Sequence, residues 1–308
     1  MSSPLPQSIT APVSMQRPRR VGVLVHPTRN VDQPLRIVRE WAHEHGIDIV
    51  QIVATYPQRR VARDGDAGDT DLIVSIGGDG TTLAALRAGA VADCPVLGIG
   101  CGSLGALANV KVSDALRSLE RFSRGEWRPR RFPALLIARP PAESLFALND
   151  VAVVRDGGGQ VRLSAHVDGT VFARIAGDGA VVSTPIGTSG YGISAGGPLL
   201  LTGVDAFVIT PLPKHGGFAP PLVIGPSSEL ELEITTSFGG ARLEVDGQVV
   251  DHTPRSLTIT FRPAVVTQVS FDDQEPLLAG LRARGILVDS PRLLAEAKQD
   301  PVNRPPES

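Results

Sequence analysis

The hydrophobic pattern divides the chain into two stretches of different rhythm. In the first, short runs of branched aliphatic residues alternate with longer amphipathic ones. Val21, Val23, Leu24 and Val25 predict a buried strand over Arg20 to His26, and the spacing after it predicts a helix from about Gln33 to His45. Ile49 to Val53, Leu72 to Ile76 and Val96 to Ile99 predict three more strands, with helical stretches at Thr82 to Ala90 and Asp114 to Arg124. Strands separated in this way by helices argue for a parallel sheet covered on both faces.

After about Trp127 the helical rhythm stops. Leu135 to Ala138, Ala147 to Val154, Gln160 to Val167, Thr170 to Ile175, Ala180 to Thr184, Phe207 to Pro211, Leu230 to Thr235 and Arg242 to Val245 are short β-prone runs, many divided by Gly, Pro or Asp-Gly signals. Glu229 to Ile234 alternates acidic and aliphatic residues at every step, which turns the aliphatic side chains inward and leaves the Glu side chains in water. The expected fold is therefore an α/β Rossmann-like N-terminal domain plus an all-β sandwich C-terminal domain. The expected boundaries are a disordered arm over 1–19, the Rossmann-like domain over 20–130, the sandwich over 131–268 and a C-terminal segment over 269–308 with a frayed, Pro-rich end.

Composition narrows the function. With 308 residues, 42% hydrophobic and only 4% aromatic, the chain can bury two aliphatic cores. A net charge of -2 lacks the basic footprint that nucleic acid or an anionic membrane selects, so phosphate has to be held locally. Cys94 and Cys101 are too few for a disulfide framework, and no apolar run is long enough to span a membrane; a cytoplasmic setting is expected.

The candidate chemistry lies in three places. Gly77-Gly78-Asp79-Gly80-Thr81 follows an apolar strand and leads into a helix, where α/β sheets bind ligands. Its glycines (Gly77, Gly78, Gly80) and Thr81 let backbone amides approach phosphate oxygens, aided by the helix N-terminus. Asp79 is unfavourable beside phosphate unless it works with a metal ion or takes a proton from an attacking hydroxyl. No Walker loop is present. The second place is Gly177-Asp178-Gly179, the strand after it, and the Gly-, Ser- and Thr-rich tract from Pro185 to Pro198, which offers hydroxyls, amides and Tyr191 to a ribose or diphosphate. The third is Asn149-Asp150, a donor and acceptor pair suited to vicinal ribose hydroxyls.

In this order the pieces resemble the NAD kinase family, which reads Gly-Gly-Asp-Gly-Thr, then Asn-Glu, then a Gly-Asp-Gly leading to Ser-Thr-Pro-Thr-Gly-Ser-Thr-Ala-Tyr and Ser-Ala-Gly-Gly-Pro. The matches here are Gly77 to Thr81, Asn149 with Asp150, Gly177 to Gly179, Ser183 to Pro185 with Gly187 and Tyr191, Ser194 to Pro198, and Val245-Asp246-Gly247-Gln248. The resemblance implies ATP-dependent (or polyphosphate-dependent) phosphorylation of the 2′-hydroxyl of NAD, with Mg²⁺ on the donor phosphates. Asp79 would be the base, and Gly80, Asn149, Asp150, Asp178, Thr188, Tyr191 and Ser194 would bind substrate. No protein ligand set for a metal is expected. The resemblance further implies a homodimer or homotetramer and a C-terminal segment that returns to the N-domain. The chain departs from the family at Gly100, usually Asn, at Ala106, usually aromatic, at Asp150, usually Glu, at Thr188-Ser189-Gly190, and at Lys214-His215-Gly216-Gly217. The departures at Gly100, Ala106 and Asp150 motivate one alternative, a catalytically impaired NAD-binding regulator. A lipid or sphingoid kinase, which shares Gly-Gly-Asp-Gly-Thr, is the other.

Overall fold

A computed structural model describes residues 17–54, 58–102, 105–236, 238–273, 277–283 and 285–294. The expected arm over 1–19 lies outside the described residues up to position 16, and the expected frayed end lies outside them from position 295.

The first half contains β1 (Arg20–Val25), α1 (Asp32–Glu44), β2 (Asp48–Ile52), β3 (Asp64–Gly65), β4 (Leu72–Gly77), α2 (Asp79–Ala92), β5 (Val96–Gly100), β6 (Val110–Lys111) and α3 (Ala115–Ser123). Its main strands lie side by side in the order β5-β4-β1-β2-β3, parallel throughout. Alternate strand residues face opposite ways and feed two cores. Val21, Val23, Leu72 and Val74 pack with Leu35, Val38 and Trp41 of α1 and with Leu119 and Phe122 of α3. Leu24, Ile73 and Val96 pack with Ala85, Leu86 and Ala90 of α2. The α1 stripe recurs as Pro34, Leu35, Val38, Trp41 and Ala42, the spacing of one helical face.

The second half contains β7 (Arg128–Arg139), β8 (Ala142–Ala147), β9 (Asp150–Asp156), β10 (Val161–Val167), β11 (Thr170–Gly177), β12 (Gly179–Ser183), α4 (Tyr191–Ser194), β13 (Phe207–Pro211), β14 (Leu222–Ile224), β15 (Glu229–Thr236), β16 (Gly240–Val245), β17 (Gln248–Asp251), β18 (Ser256–Ser270) and α5 (Leu277–Ala283). A six-stranded sheet, β14-β13-β12-β9-β16-β17, faces the run β11-β10-β15-β18. The inward residues Val151, Val153, Val182, Phe207, Ile209, Leu232, Leu243, Ile259 and Phe261 form the core between them. The Rossmann-like domain and the β-sandwich are thus both present.

The two halves share a sheet. β18 pairs with β15 and β7 in the sandwich, and its far end meets β5 at Gln268 and Val96, so the larger sheet is continuous over twelve strands. Strands β7 and β18 run through positions 130/131 and 268/269, where the sequence places domain boundaries. Beyond β18, Phe271 enters the core of the first half under Arg121, whose guanidinium lies 4.5 Å from the ring centroid, and Asp273 pairs with Arg117 and Arg121. No described helix is long and apolar enough to cross a membrane.

Candidate active site

β4 is buried along its whole length, and α2 begins at Asp79, three residues before the start expected from sequence. Asp79, Gly80 and Thr81 are therefore the first turn of the helix rather than a loop ahead of it. Gly78 occupies the cap position with extended backbone and no side chain to cap the turn, so the first amides of α2 depend on partners from elsewhere. Gly80 is exposed, and a Cβ built on it would meet nothing within 4 Å. Gly77 ends the buried strand. Thr81 is buried, and its hydroxyl stands where a Cβ on Gly77 would be, at 2.4 Å.

The Asp79 carboxylate anchors the turn between β5 and β6. Oδ2 accepts from the Ala106 amide at 2.9 Å, and Oδ1 accepts from Leu107 and Ala108 at 3.0 Å each. Gly105 has to be glycine here, because a Cβ would lie 1.7 Å from Oδ1. Gln268 of β18 closes the other side of this turn, donating from Nε2 to the Leu107 carbonyl at 2.6 Å.

A second carboxylate repeats the arrangement in the sandwich. Asp246, with a left-handed φ of 48° and a side chain only 3% exposed, accepts from the amides of Leu148, Asn149 and Asp150 at 3.1, 2.7 and 3.2 Å. Arg87 of α2 donates to Asp246 Oδ2 at 2.5 Å and to the Phe146 carbonyl at 2.9 Å, while its guanidinium covers the Phe146 ring. The helix that starts at Asp79 is thereby tied to the strand that starts at Asp150. Among the described residues the buried Asn149 Oδ1 has no partner, nor does Ser183 Oγ, whose residue pairs with Asp150 across β9 and β12. Buried acceptors and hydroxyls left open in this way mark where a ligand or water donates.

Asp150, Ser183, Glu244 and Arg242 lie on the outward face of the six-stranded sheet, since Ser183 pairs with Asp150, Glu244 with Ala152 and Arg242 with Val154. Burial first, then the charges of Asp246 and Glu244, push the Asp150 carboxyl up from 3.8 to about 7. Tyr191 opens α4 above this face; burial and then Glu244 raise its phenol, and it lies within electrostatic reach of both Asp150 and Asp178. Asp178 stands just before the opposite end of β12 from the Ser183–Asp150 pair, roughly 17 Å away at the usual rise of a strand. There it pairs with Arg155 at 2.8 Å. Thr188 is buried, with its hydroxyl donating to the Pro185 carbonyl and accepting from the Leu200 amide, and Ser194 donates to the Gly190 carbonyl.

The structure thus gathers Gly77 to Thr81 in one group and Asn149, Asp150 and Tyr191 in another, with Asp178 at the far end of the second. Sequence reasoning missed Arg87 and the turn from Gly105 to Ala108, and took Asp246 as part of a late turn. The signals for Asp246 were an Asp before Gly in a strand-ending turn and the resemblance of Val245-Asp246-Gly247-Gln248 to the family's pattern. Separately, a cleft of about 770 Å³ lies along the flank of α2, lined by Ala84, Arg87, Ala88, Val91 and Phe146 among others. It includes none of the sequence-predicted site residues.

A parallel sheet with a glycine-rich strand-to-helix turn, joined through a shared strand to a sandwich with a polar outer face, defines a two-domain protein of α/β plus all-β build. The chain matches the ATP-NAD kinase N-terminal domain over residues 21–127 and the ATP-NAD kinase C-terminal domain over residues 148–267, and it belongs to the NAD kinase family. An NAD kinase from Heliobacterium modesticaldum is 39% identical over 183 residues, a match spanning 58% of this chain and 65% of that protein. A yeast NADH kinase solved with NADH has a TM-score of 0.73 at 19% identity, covering 89% of each chain. An Archaeoglobus fulgidus NAD kinase solved with ATP has a TM-score of 0.64 at 25% identity, covering 87% of this chain and 96% of that one. These matches support neither a lipid or sphingoid kinase nor a catalytically impaired regulator.

Two outcomes follow from this geometry. Arg87→Ala leaves a buried carboxylate without its cation and is expected to lower stability by roughly 2–3 kcal/mol in a denaturant titration; an unchanged midpoint would mean that the pair does not tie the halves together. For Asp150, the raised native pKa means that the neutral form favours the fold. Its contribution is complete below about pH 4 and is lost as pH rises through about 7. Asp150→Asn, which stays neutral, is therefore expected to gain melting temperature over the parent between those values and hold the gain above them. Parallel melting curves at equal temperature offset across pH 4 to 8 would contradict the assignment.

Proposed function

We infer that this chain is an NAD kinase, transferring the γ-phosphoryl group of ATP to the 2′-hydroxyl of the adenosine ribose of NAD. The observation that carries the reading is the Arg87 to Asp246 connection, which holds the uncapped start of α2 in register with the Asn149–Asp150 strand head. Phosphoryl transfer is chiefly positioning and charge neutralisation, so a fixed relation between a phosphate site and a sugar site is the main requirement.

In this reading the amides around Gly78 and Gly80 hold donor phosphates at the helix N-terminus. Asn149 and Asp150 bind the acceptor's sugar hydroxyls, with the partnerless Asn149 Oδ1 accepting one of them. Asp178, Thr188, Tyr191 and Ser194 belong to the same pocket: Tyr191 and Asp178 along the sheet face, Thr188 and Ser194 by fixing the backbone that carries Tyr191. Asp150 and Asp178 stand at opposite ends of β12, roughly 17 Å apart, a span that suits an elongated ligand such as a dinucleotide. Asp79 orients the attacking hydroxyl and accepts its proton while its oxygens also hold the turn from Ala106 to Ala108.

Among the described residues, no group of three or more His, Cys, Asp or Glu side chains could hold a metal ion. In this reading Mg²⁺ is carried on the donor phosphates, as suits an ion that keeps several waters and takes few protein ligands. When bound, it neutralises charge on the β- and γ-phosphates. The same reading includes a cytoplasmic setting, no nucleic-acid or membrane partner, and a homodimer or homotetramer, whose mass light scattering would give.

The test incubates the purified chain with NAD, Mg²⁺ and ATP or polyphosphate and reads NADP with an NADP-specific dehydrogenase. NADP formation is expected; its absence with every donor would refute the reading. Asp79→Asn is expected to lower turnover about a hundredfold or more, in the range of a lost general base. It also turns an amide donor toward backbone donors, costing roughly 1–3 kcal/mol. Activity is therefore compared at a temperature where the variant is folded, and near-parental turnover there would leave Asp79 as a loop anchor only.

A further inference from the structure

We propose that Arg29 is the cation that grips the phosphate tail of the triphosphate donor. This rests on the phosphotransfer reading above and refines its donor site. β1 and β4 are adjacent in the sheet, yet α1, which follows β1, packs on one face and α2, which follows β4, packs on the other. Open α/β sheets bind ligands in the crevice that such a divergence leaves at the carboxyl ends of the strands. The crevice here is bordered by the segment after Val25 and by Gly77 to Asp79, with the His26 amide donating to Ile76 and the Cys101 amide to Gly77.

Arg29 lies across that crevice. Nη1 donates to the Cys101 carbonyl at 3.0 Å, just past the end of β5. A Cβ on Gly78 would stand 3.3 Å from Nη1 and one on Gly102 would stand 3.7 Å from it, so bare backbone lets the guanidinium lie against both strand ends. The cap residue of α2 is thus directly beneath a guanidinium. Its carrier loop is fixed: His26 Nδ1 accepts from the Thr28 and Arg29 amides at 3.2 and 3.1 Å. Burial, and then the charge of Arg29, lower the His26 pKa, which keeps the ring neutral and able to accept.

The guanidinium is exposed and forms no ion pair among the described residues. Arg20, Arg59 and Arg63 of the same half are each paired with an aspartate. A planar cation fixed by one N–H has the others available for two oxygens of one phosphate, a geometry that lysine cannot copy. Next to it, the first amides of α2 supply the neutral donors of the same site.

The experiment uses the full chain with Arg29→Ala and Arg29→Lys. The KM for ATP is expected to rise about tenfold or more in Arg29→Ala and less in Arg29→Lys, while the KM for NAD shifts less than about twofold. Calorimetry with inorganic triphosphate, ATP and adenosine gives a readout that does not need turnover. Arg29→Ala should lose affinity for triphosphate and ATP and keep whatever affinity the parent has for adenosine, with an unchanged melting temperature. Equal binding of triphosphate by parent and variant, or a loss of adenosine and NAD binding together with stability, would overturn the proposal. If the parent binds triphosphate through Arg29 yet makes no NADP, the kinase reading fails and the phosphate site stands.

Discussion

The relation between the two halves depends on one buried carboxylate. Asp246 takes three amides from the chain segment that opens β9 and a guanidinium from α2, so a single side chain sets that strand and that helix against each other. Burying a carboxylate is costly unless its charge and its lone pairs are all satisfied, and four donors at 2.5 to 3.2 Å meet that requirement. The shared strand β18 brings the halves together, but a ladder leaves each half free to adjust its far edge. The Arg87–Asp246 contact removes that freedom where the candidate site lies.

Asp79 applies the same device inside the first half. It too takes three successive amides, those of Ala106, Leu107 and Ala108, as Asp246 takes those of Leu148, Asn149 and Asp150. In each case an acid just beyond a strand fixes a segment contributed from elsewhere in the chain. The acid of the glycine motif therefore has a structural duty that is independent of chemistry, and its side chain cannot swing freely through the site. Any hydroxyl that it serves has to come to it, which is the kind of preorganisation that phosphoryl transfer rewards.

Much of this was legible in the sequence because burial writes period and alternation directly into the chain. The parallel strands, α1, α3 and the alternating β15 were predicted close to where they lie. The longest strand, β18, was not. Pro263 sits inside it, and the register with β7 breaks between Arg262 and Val266, where Ala264 takes a left-handed φ of 52°. A bulge accommodates what a local reading takes as an end. The start of α2 was placed late because Asp79-Gly80-Thr81 has the composition of a turn, and only the sheet above shows that it is the first helical turn. Arg29 and Arg87 carried no local signal: each acquires its meaning from carbonyls and carboxylates 59 or more positions away.

Charge is what orders the two ends of the site. Asp150, Glu244 and Asp246 collect at the sandwich end, where burial first, and then the two neighbouring charges, drive Asp150 toward its neutral form. Arg87 pairs with Asp246 and Arg242 with Glu244, so what this end offers is hydrogen-bond acceptors for a sugar diol. At the other end the start of α2 has no side-chain cap and, among the described residues, Arg29 forms no ion pair. A ligand with an anionic tail and a hydroxylated partner therefore meets a cation at one group of residues and hydrogen-bond acceptors at the other. The same reasoning explains why Asp79, an acid at the positive end, is tied back by backbone amides: its charge is met locally before a phosphate arrives.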